Sequence, residues 1–412
     1  MFDFIIRGRL IDGASDTAVE DGLVAVEGER IAYAGPAALC PKDALAAAKT
    51  AGAVTLQADT ILPGFIDCHA HLTGEEDAGD YADGKFFGDQ LMGAAYQTGL
   101  LLDSGFTGLR DMSEAGVFLS RAQARGILRA PRIVPGARIL GTTSGHVDLC
   151  PDRPKAYANA VDHLSRLCDG VDDCILAVRE QFRLGARFIK ICATGGVSSP
   201  TDRVDDVQFS PAELRAIVEE TERHHTYVTA HCTGNEGAYQ ALLAGVRCIE
   251  HGVMLTQREI DLMAEKHVPL VSTLAVSLGV ARMTGFPSWM HEKALAAAEC
   301  NLRTIEMDRK AGIMICFGTD YSNSRNTPYR GIGREFEAMT EAGMTNMEAI
   351  QAGTSHAAHL MMNEQNVGTL EAGKLADLVL VDGNPLEDIR CLTDADHIKT
   401  VLLGGKVVKQ TA

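Results

Sequence analysis

Positive charge is in short supply in this chain: 38 Lys and Arg stand against 55 Asp and Glu, a formal net charge of -17 over 412 residues. A nucleic-acid groove or an anionic membrane surface needs a basic patch, so neither is expected as a partner, and a small-molecule substrate is. No apolar run reaches the ~20 residues needed to cross a bilayer, and Met1-Phe2-Asp3-Phe4 puts an acid where a secretory leader carries positive charge. The expectation is a cytoplasmic protein. Cys-x-x-Cys pairs are missing as well. The eleven cysteines are an odd number and sit mostly inside apolar runs, which reads as reduced, buried thiols rather than a disulfide framework. Nor does any Gly-x-Gly-x-x-Gly follow the first strand, which argues against a dinucleotide-binding fold. Internal repeats and low-complexity tracts are lacking too.

What is present is ordinary globular composition, 46% hydrophobic and 23% charged, in a chain too long for one compact core. Residues 1–60 hold short β-rich runs such as Phe4-Ile5-Ile6-Arg7-Gly8 and Gly22-Leu23-Val24-Ala25-Val26, and the same character returns in Leu378-Val379-Leu380-Val381 and Val401-Leu402-Leu403. Residues 1–60 with 362–412 are therefore expected to form one β-sandwich closed by both ends. Between them, over 61–361, apolar strands alternate with amphipathic helical stretches, the pattern of parallel βα units. Eight strands are expected: 61–67, 106–112, 132–139, 187–193, 227–232, 248–254, 268–275 and 313–320. Ser210-Pro211, a capping residue with proline at the first helical position, opens one of the helices. Eight strands with intervening helices predict an α/β fold of the (β/α)8, TIM-like barrel type.

Such barrels carry their active sites at the carboxyl ends of the strands. There the first strand ends in Asp67-Cys68-His69-Ala70-His71, the fourth contains Lys190, the fifth ends at His231, the sixth at His251 and the eighth at Asp320. Residues two apart on a strand share a face, so His69 and His71 can grip one cation together. A lone His-x-His is a weak signal; five strand ends bearing ligand-type residues in one barrel are a much stronger one.

Taken with Leu62-Pro63-Gly64-Phe65-Ile66, Ile189-Lys190, Ala230-His231, Glu250-His251-Gly252, Gly318-Thr319-Asp320 and Gly373-Lys374-Leu375-Ala376-Asp377, these residues resemble the amidohydrolase superfamily over nearly the whole chain. The resemblance implies two divalent metal ions. His69, His71 and Asp320 would hold one, His231 and His251 the other, and Lys190 would bridge them as N6-carboxylysine. Imidazole and carboxylate donors suit zinc. A buried lysine is costly as a bare cation, and its neutral amine is the form that adds carbon dioxide to become a bridging anion. Two ions about 3.5–4 Å apart would generate hydroxide at neutral pH, with Asp320 as general base and then acid. A homo-oligomer is expected of a barrel of this kind, with no symmetry specified.

A narrower resemblance lies in Lys190-Ile191-Cys192-Ala193-Thr194-Gly195-Gly196-Val197-Ser198-Ser199-Pro200-Thr201-Asp202. It is similar to the branch holding imidazolonepropionase-like proteins, Xaa-Pro dipeptidases (prolidases), carboxypeptidases for basic residues and ochratoxin-type amidases. That branch mostly cleaves amides next to a free carboxylate, which implies dipeptides or N-acyl amino acids as substrates. His146 resembles the branch's loop histidine that bonds the scissile carbonyl. Gly195 and Gly196 would let the backbone approach a ligand, and Arg203, Tyr321, Arg325 and Arg330 follow strand ends where a substrate carboxylate could be paired. One departure favours a hydrolase of a cyclic amide, aryl-amide, carbamate or urea: the dipeptidase and carboxypeptidase groups place Tyr or His two residues after the fifth-strand histidine, and this chain has Thr233. A non-catalytic relative would have lost a ligand, and all six positions are filled.

Overall fold

The computed structural model describes residues 2–73, 87–282, 287–323 and 327–411. Four strands form first: β1 (Phe4–Leu10), β2 (Val19–Glu27), β3 (Arg30–Pro36) and β4 (Val54–Pro63). β1 pairs antiparallel with β2 and parallel with β4, and β2 pairs antiparallel with β3. The two-residue period divides β2 between two apolar layers. Leu23 and Ala25 join Ile5 and Ala48, the latter from the helix Lys42–Thr50, while Val24 and Val26 turn to the opposite face beside Ile6.

The barrel follows: β5 (Phe65–Ala70), β6 (Phe106–Asp111), β7 (Arg132–Pro135), β8 (Ile139–Gly141), β9 (Ser165–Leu167), β10 (Ile189–Cys192), β11 (Val228–Cys232), β12 (Cys248–His251), β13 (Leu270–Val271) and β14 (Ile315–Cys316). All neighbours in it run parallel. The third position is not the single strand expected over 132–139. It breaks at Ala137, whose φ is 57°. β7 pairs with β6, β8 pairs with β10 through Leu140 and Ile191, and the Arg187 N–H donates to Pro135 O at 2.8 Å. β9 is an extra strand on β8. The cylinder closes where the Cys68 N–H donates to Phe317 O at 2.9 Å and Ala70 bridges to Tyr321.

Helices cover the outside because the strands' outward residues are apolar. Ile189, Ile191, Val228, Ala230 and Ile249 share one core with Leu214, Ile217 and Val218 of the helix Pro211–Glu222. That helix starts as expected: Ser210 and Glu213 form a reciprocal capping box. Leu214 and Ile217 are fully buried, each stabilising by about 1.5–3 kcal/mol relative to exposure.

The chain then returns to the first sheet with β15 (Leu378–Val381), β16 (Ile398–Leu403) and β17 (Lys406–Gln410), giving the order β17-β16-β15-β4-β1-β2-β3. The sandwich is one continuous sheet rolled over its own core. The Ile31 N–H donates to Lys374 O at 2.9 Å and the Ala376 N–H to Glu29 O at 2.8 Å, and Val24, Val26, Leu378, Leu380 and Leu402 pack together inside the roll. The run 61–67 is divided accordingly. Ile61, Leu62 and Pro63 pair with β15, and the barrel begins at Phe65, across Gly64. A Cβ at Gly64 would lie 2.0 Å from Thr107 Oγ1, so only glycine lets β4 pass into β5 so close to β6. All eleven cysteines are free, nine of them buried, as their apolar settings predict, and no helix of the described residues is long and apolar enough to cross a membrane.

Candidate active site

β5 and β14 meet at a buried acid. Asp67 accepts from the N–H groups of His69 (2.8 Å) and Thr319 (3.2 Å) and from the Thr319 hydroxyl (2.6 Å). Burial pushes its carboxyl up to about 7 against those bonds. Asp67 thereby ties the ends of the first and eighth strands together, and the Asp320 N–H donates to His69 O at 2.6 Å. The consequence is convergence: Asp320 Oδ1 lies 2.9 Å from His71 Nε2 and 3.2 Å from His69 Nε2. Among the described residues, His69, His71 and Asp320 are the one group whose ligand atoms all fall within 4.8 Å of one another, close enough to hold a metal ion. Burial lowers His71 toward the neutral ligand form. It would raise Asp320, but His69 and His71 outweigh it and hold that carboxylate well below its ordinary value. His71 Nδ1 is buried with no partner among the described residues.

His231 and His251 stand beside this group. Their ring centroids are 4.6 Å apart, and the His69 and His251 centroids 4.9 Å. Burial holds both well below the usual imidazole value, reinforced at His231 by His146 and His251. The His251 Nδ1 bonds Thr273 Oγ1 at 2.8 Å, which leaves Nε2 for a ligand role. His231 Nε2 lies 3.1 Å from Gly195 O and 3.2 Å from Thr233 Oγ1. Lys190 is 2% exposed. Its Nζ lies 3.4 Å from His69 Nε2, and no carboxylate pairs with it among the described residues.

Sequence reasoning missed the layer that orients these ligands. Glu250 points into the barrel and accepts from the Arg110 guanidinium, the Thr229 hydroxyl and His69 Nδ1, the last at 2.7 Å. Burial would raise Glu250, but Arg110 and His69 hold it well below the ordinary value. With Nδ1 engaged, His69 presents Nε2 to the centre. Because Glu250 takes the inward position, His251 would face outward in a regular strand. Its φ of 69° turns it back, and Thr273 (48°) and Asp320 (58°) are likewise left-handed. Three such residues at strand ends mark strain stored at a functional site. An ionisable residue inside an apolar strand, as Arg110 and Glu250 are, is the signal that could have found this layer.

At the mouth, the His146 ring stacks on His231 with centroids 4.5 Å apart, and its Nδ1 lies 3.0 Å from Ser199 Oγ and 3.6 Å from Asp202 Oδ2. The two glycines are needed here, though for approach to the protein itself. A Cβ on Gly195 would meet Arg203 O at 1.9 Å, and one on Gly196 would meet His146 Cε1 at 2.2 Å. Arg203 is placed in solvent, 78% exposed and paired with Asp205. Tyr321 is buried in the main core, and Arg330 is exposed. Arg325 lies outside the described residues.

The donor set fits a divalent metal: the Nε2 atoms of His69 and His71 and the Asp320 carboxylate converge at the end of a barrel whose strands all deliver their carboxyl ends to one mouth. Fold and site together define a parallel α/β barrel with a His/Asp group at its mouth that could hold a metal ion. Residues 60–408 match the amidohydrolase family. The chain belongs to that family, and it hydrolyses C–N bonds. It is 32% identical to ochratoxinase of Aspergillus niger, over 98% of this chain and 86% of that one. The crystal structure of the A. niger ochratoxinase superposes with a TM-score of 0.90 at 30% identity, over 99% of this chain and 95% of that one. A prolidase complexed with N-methylphosphonate-L-proline gives 0.89 at 31%, covering 99% and 100%. A Xaa-Pro dipeptidase with bound methionine gives 0.86 at 29%, covering 98% and 99%.

Proposed function

We propose that this chain cleaves the amide bond of dipeptides such as Xaa-Pro, or of N-acyl amino acids, on two divalent ions, zinc by donor type. The observation that carries the reading is Lys190. Its buried amine lies 3.4 Å from His69 Nε2, and among the described residues no carboxylate stands within ion-pair distance of it. Carboxylation turns this cation into an anion and removes the cost of an unpaired buried charge. When bound, the ions supply Lewis-acid polarisation of the amide carbonyl and acidify water.

The chain's own groups do the rest. Asp320 takes the proton of the attacking water and returns it to the leaving nitrogen. His146 directs Nε2, which has no hydrogen-bond partner among the described residues, to the carbonyl oxygen. The preference for an adjacent carboxylate is supported by the similar prolidase and dipeptidase, whose bound proline phosphonate and methionine both carry one. A second reading, hydrolysis of a cyclic amide, aryl-amide, carbamate or urea on the same ions, is favoured by two residues. Arg203 is already engaged by Asp205, and the Thr233 hydroxyl is turned onto His231.

Metal content by mass spectrometry for wild type and Lys190→Ala, with turnover on a dipeptide and N-acyl amino-acid panel, tests both. The first reading expects about two ions per wild-type chain, less metal in Lys190→Ala, and turnover only of substrates with a free carboxylate. A metal-free wild type would sink the catalytic model. Full metal loading with no turnover on the panel moves the assignment to the second class.

A further inference from the structure

Lys293 lies on the helix Ser288–Lys310, 91 positions from Asp202 in sequence. Its Nζ reaches into the loop after β10 and donates to three backbone carbonyls, Gly196 O (3.1 Å), Ser199 O (2.8 Å) and Asp202 O (2.6 Å). Asp202 Oδ1 lies 3.3 Å away. An ammonium has three N–H donors, so Lys293 is fully committed to this loop. Asp202 is 2% exposed at its side chain and equally committed. Its Oδ1 accepts from the Ser199 hydroxyl, and Oδ2 accepts from the Gly196 N–H and from Gln208 Nε2, both at 3.2 Å, on the side facing His146 Nδ1. The His146 ring is thus enclosed by the Gly196 α-carbon on one face, His231 on the other, and Ser199 with Asp202 at Nδ1.

We propose that Lys293 is a positioning residue: by pinning Gly196, Ser199 and Asp202 from the helix Ser288–Lys310, it fixes the place and orientation of His146 at the reacting centre. Without the ammonium, three carbonyls lose their donor and the Asp202 carboxylate loses its countercharge. The segment that confines the imidazole is then free to move. The catalytic part of the inference rests on the reaction proposed above; the structural part does not. The chain offers its own reporter, since Trp289 is its single tryptophan and its ring lies 5.5 Å from the Lys293 Nζ.

The test uses Lys293→Met, Asp202→Asn and His146→Ala, singly and with Lys293→Met placed in the His146→Ala background. Lys310→Met, which removes an exposed pair with Glu306 on the same helix, is the control. With an N-acyl amino acid or dipeptide that the wild type turns over, Lys293→Met is expected to lower kcat about 100-fold with KM little changed, the penalty of a misplaced group. In the His146→Ala background the same substitution should lower kcat by no more than about 3-fold, because the two act as a unit. A loss that is additive across the two backgrounds overturns the proposal.

Trp289 emission and amide exchange at Gly196 are read on the same proteins without substrate. Asp202→Asn leaves Lys293 and Trp289 in place but removes the carboxylate beside the ammonium, and it is expected to shift the emission and speed the exchange. No change in either would overturn the coupling, including where Lys293→Met does not fold. A wild type inactive on the whole panel removes the proposed reaction, while these two readouts still decide whether Lys293 holds the loop.

Discussion

Replacing Arg110 by methionine tests whether the buried pair behind His69 matters as the geometry requires. Arg110 and Glu250 are both fully buried. The guanidinium donates to Glu250, to Cys68 O at 2.5 Å and toward Tyr227 Oη at 3.4 Å. Methionine keeps most of the apolar stem but strips the charge, leaving the Glu250 carboxylate with Thr229, Cys248 and His69 and without its ion-pair partner. Breaking a buried pair from one side costs about 3–5 kcal/mol, since the surviving charge stays desolvated. Unfolding entropy near 2.1 cal/mol/K per residue makes a chain of this length lose roughly 1 °C per kcal/mol, so the melting temperature should fall by about 3–6 °C. Glu250→Gln should cost a similar amount by stranding Arg110. The double variant Arg110→Met/Glu250→Gln leaves no charge behind, and its amide oxygen still accepts from His69 Nδ1. It should recover to within about 1–2 °C of wild type. Calorimetry on the four proteins gives the coupling directly. Single variants that melt with the wild type, or a double variant as low as the sum of the singles, would refute the reasoning.

Other expectations follow from particular contacts. Gly196→Ala places a Cβ 2.2 Å from His146 Cε1. Steady-state kinetics should show kcat down about 100-fold while the melting temperature barely moves; unchanged kcat would mean that His146 need not sit where it is. Gly64→Ala, by contrast, should lower stability by about 1–3 kcal/mol in denaturant titration through its clash with Thr107. Asp308 is buried, neither of its oxygens has a partner among the described residues, and burial pushes it up to about 8. The folded state therefore keeps a proton that the unfolded state releases, and stability falls by ~1.4 kcal/mol per pH unit from about pH 4 to about pH 8. In Asp308→Asn that slope disappears, so the variant's advantage over wild type should widen between melts at pH 5 and pH 7.5. An advantage constant with pH would show that Asp308 is ionised when folded.

The meeting of His69, His71 and Asp320 was legible because metal-ligand residue types stood at the ends of apolar runs, and periodicity sufficed to place β11 and the Ser210 cap. The division of 61–67 between two sheets was not legible. Ile61 to Asp67 read as one apolar strand, and only the contact of Gly64 with Thr107 in three dimensions separates its two parts. The break at Ala137 did carry a local signal, the turn dipeptide Pro135-Gly136 directly before it, which the single strand expected over 132–139 ran through. Arg110 and Glu250 meet across 140 positions of sequence, and Lys293 meets Asp202 across 91. Pairings of that span depend on how the barrel closes rather than on any local pattern. Arg203, suggested by position alone, turns to Asp205, because proximity to a strand end does not say which way a long side chain turns.

The place of β4 between β1 and β15 bears on how the protein is made. Residues 60–63 present one edge to β1 as soon as they are synthesised, but their other partner begins at Leu378, 315 positions beyond Pro63 (378 − 63). At roughly 5–20 residues per second, the ribosome leaves that edge without its partner for roughly 15–60 s while the barrel is produced. An unpaired apolar strand is a template for association with another chain. Pro63, which has no N–H to offer, closes the end of this one. A message broken anywhere before codon 378 yields a chain in which the edge is never covered, so truncated products should accumulate as aggregates rather than as free barrels.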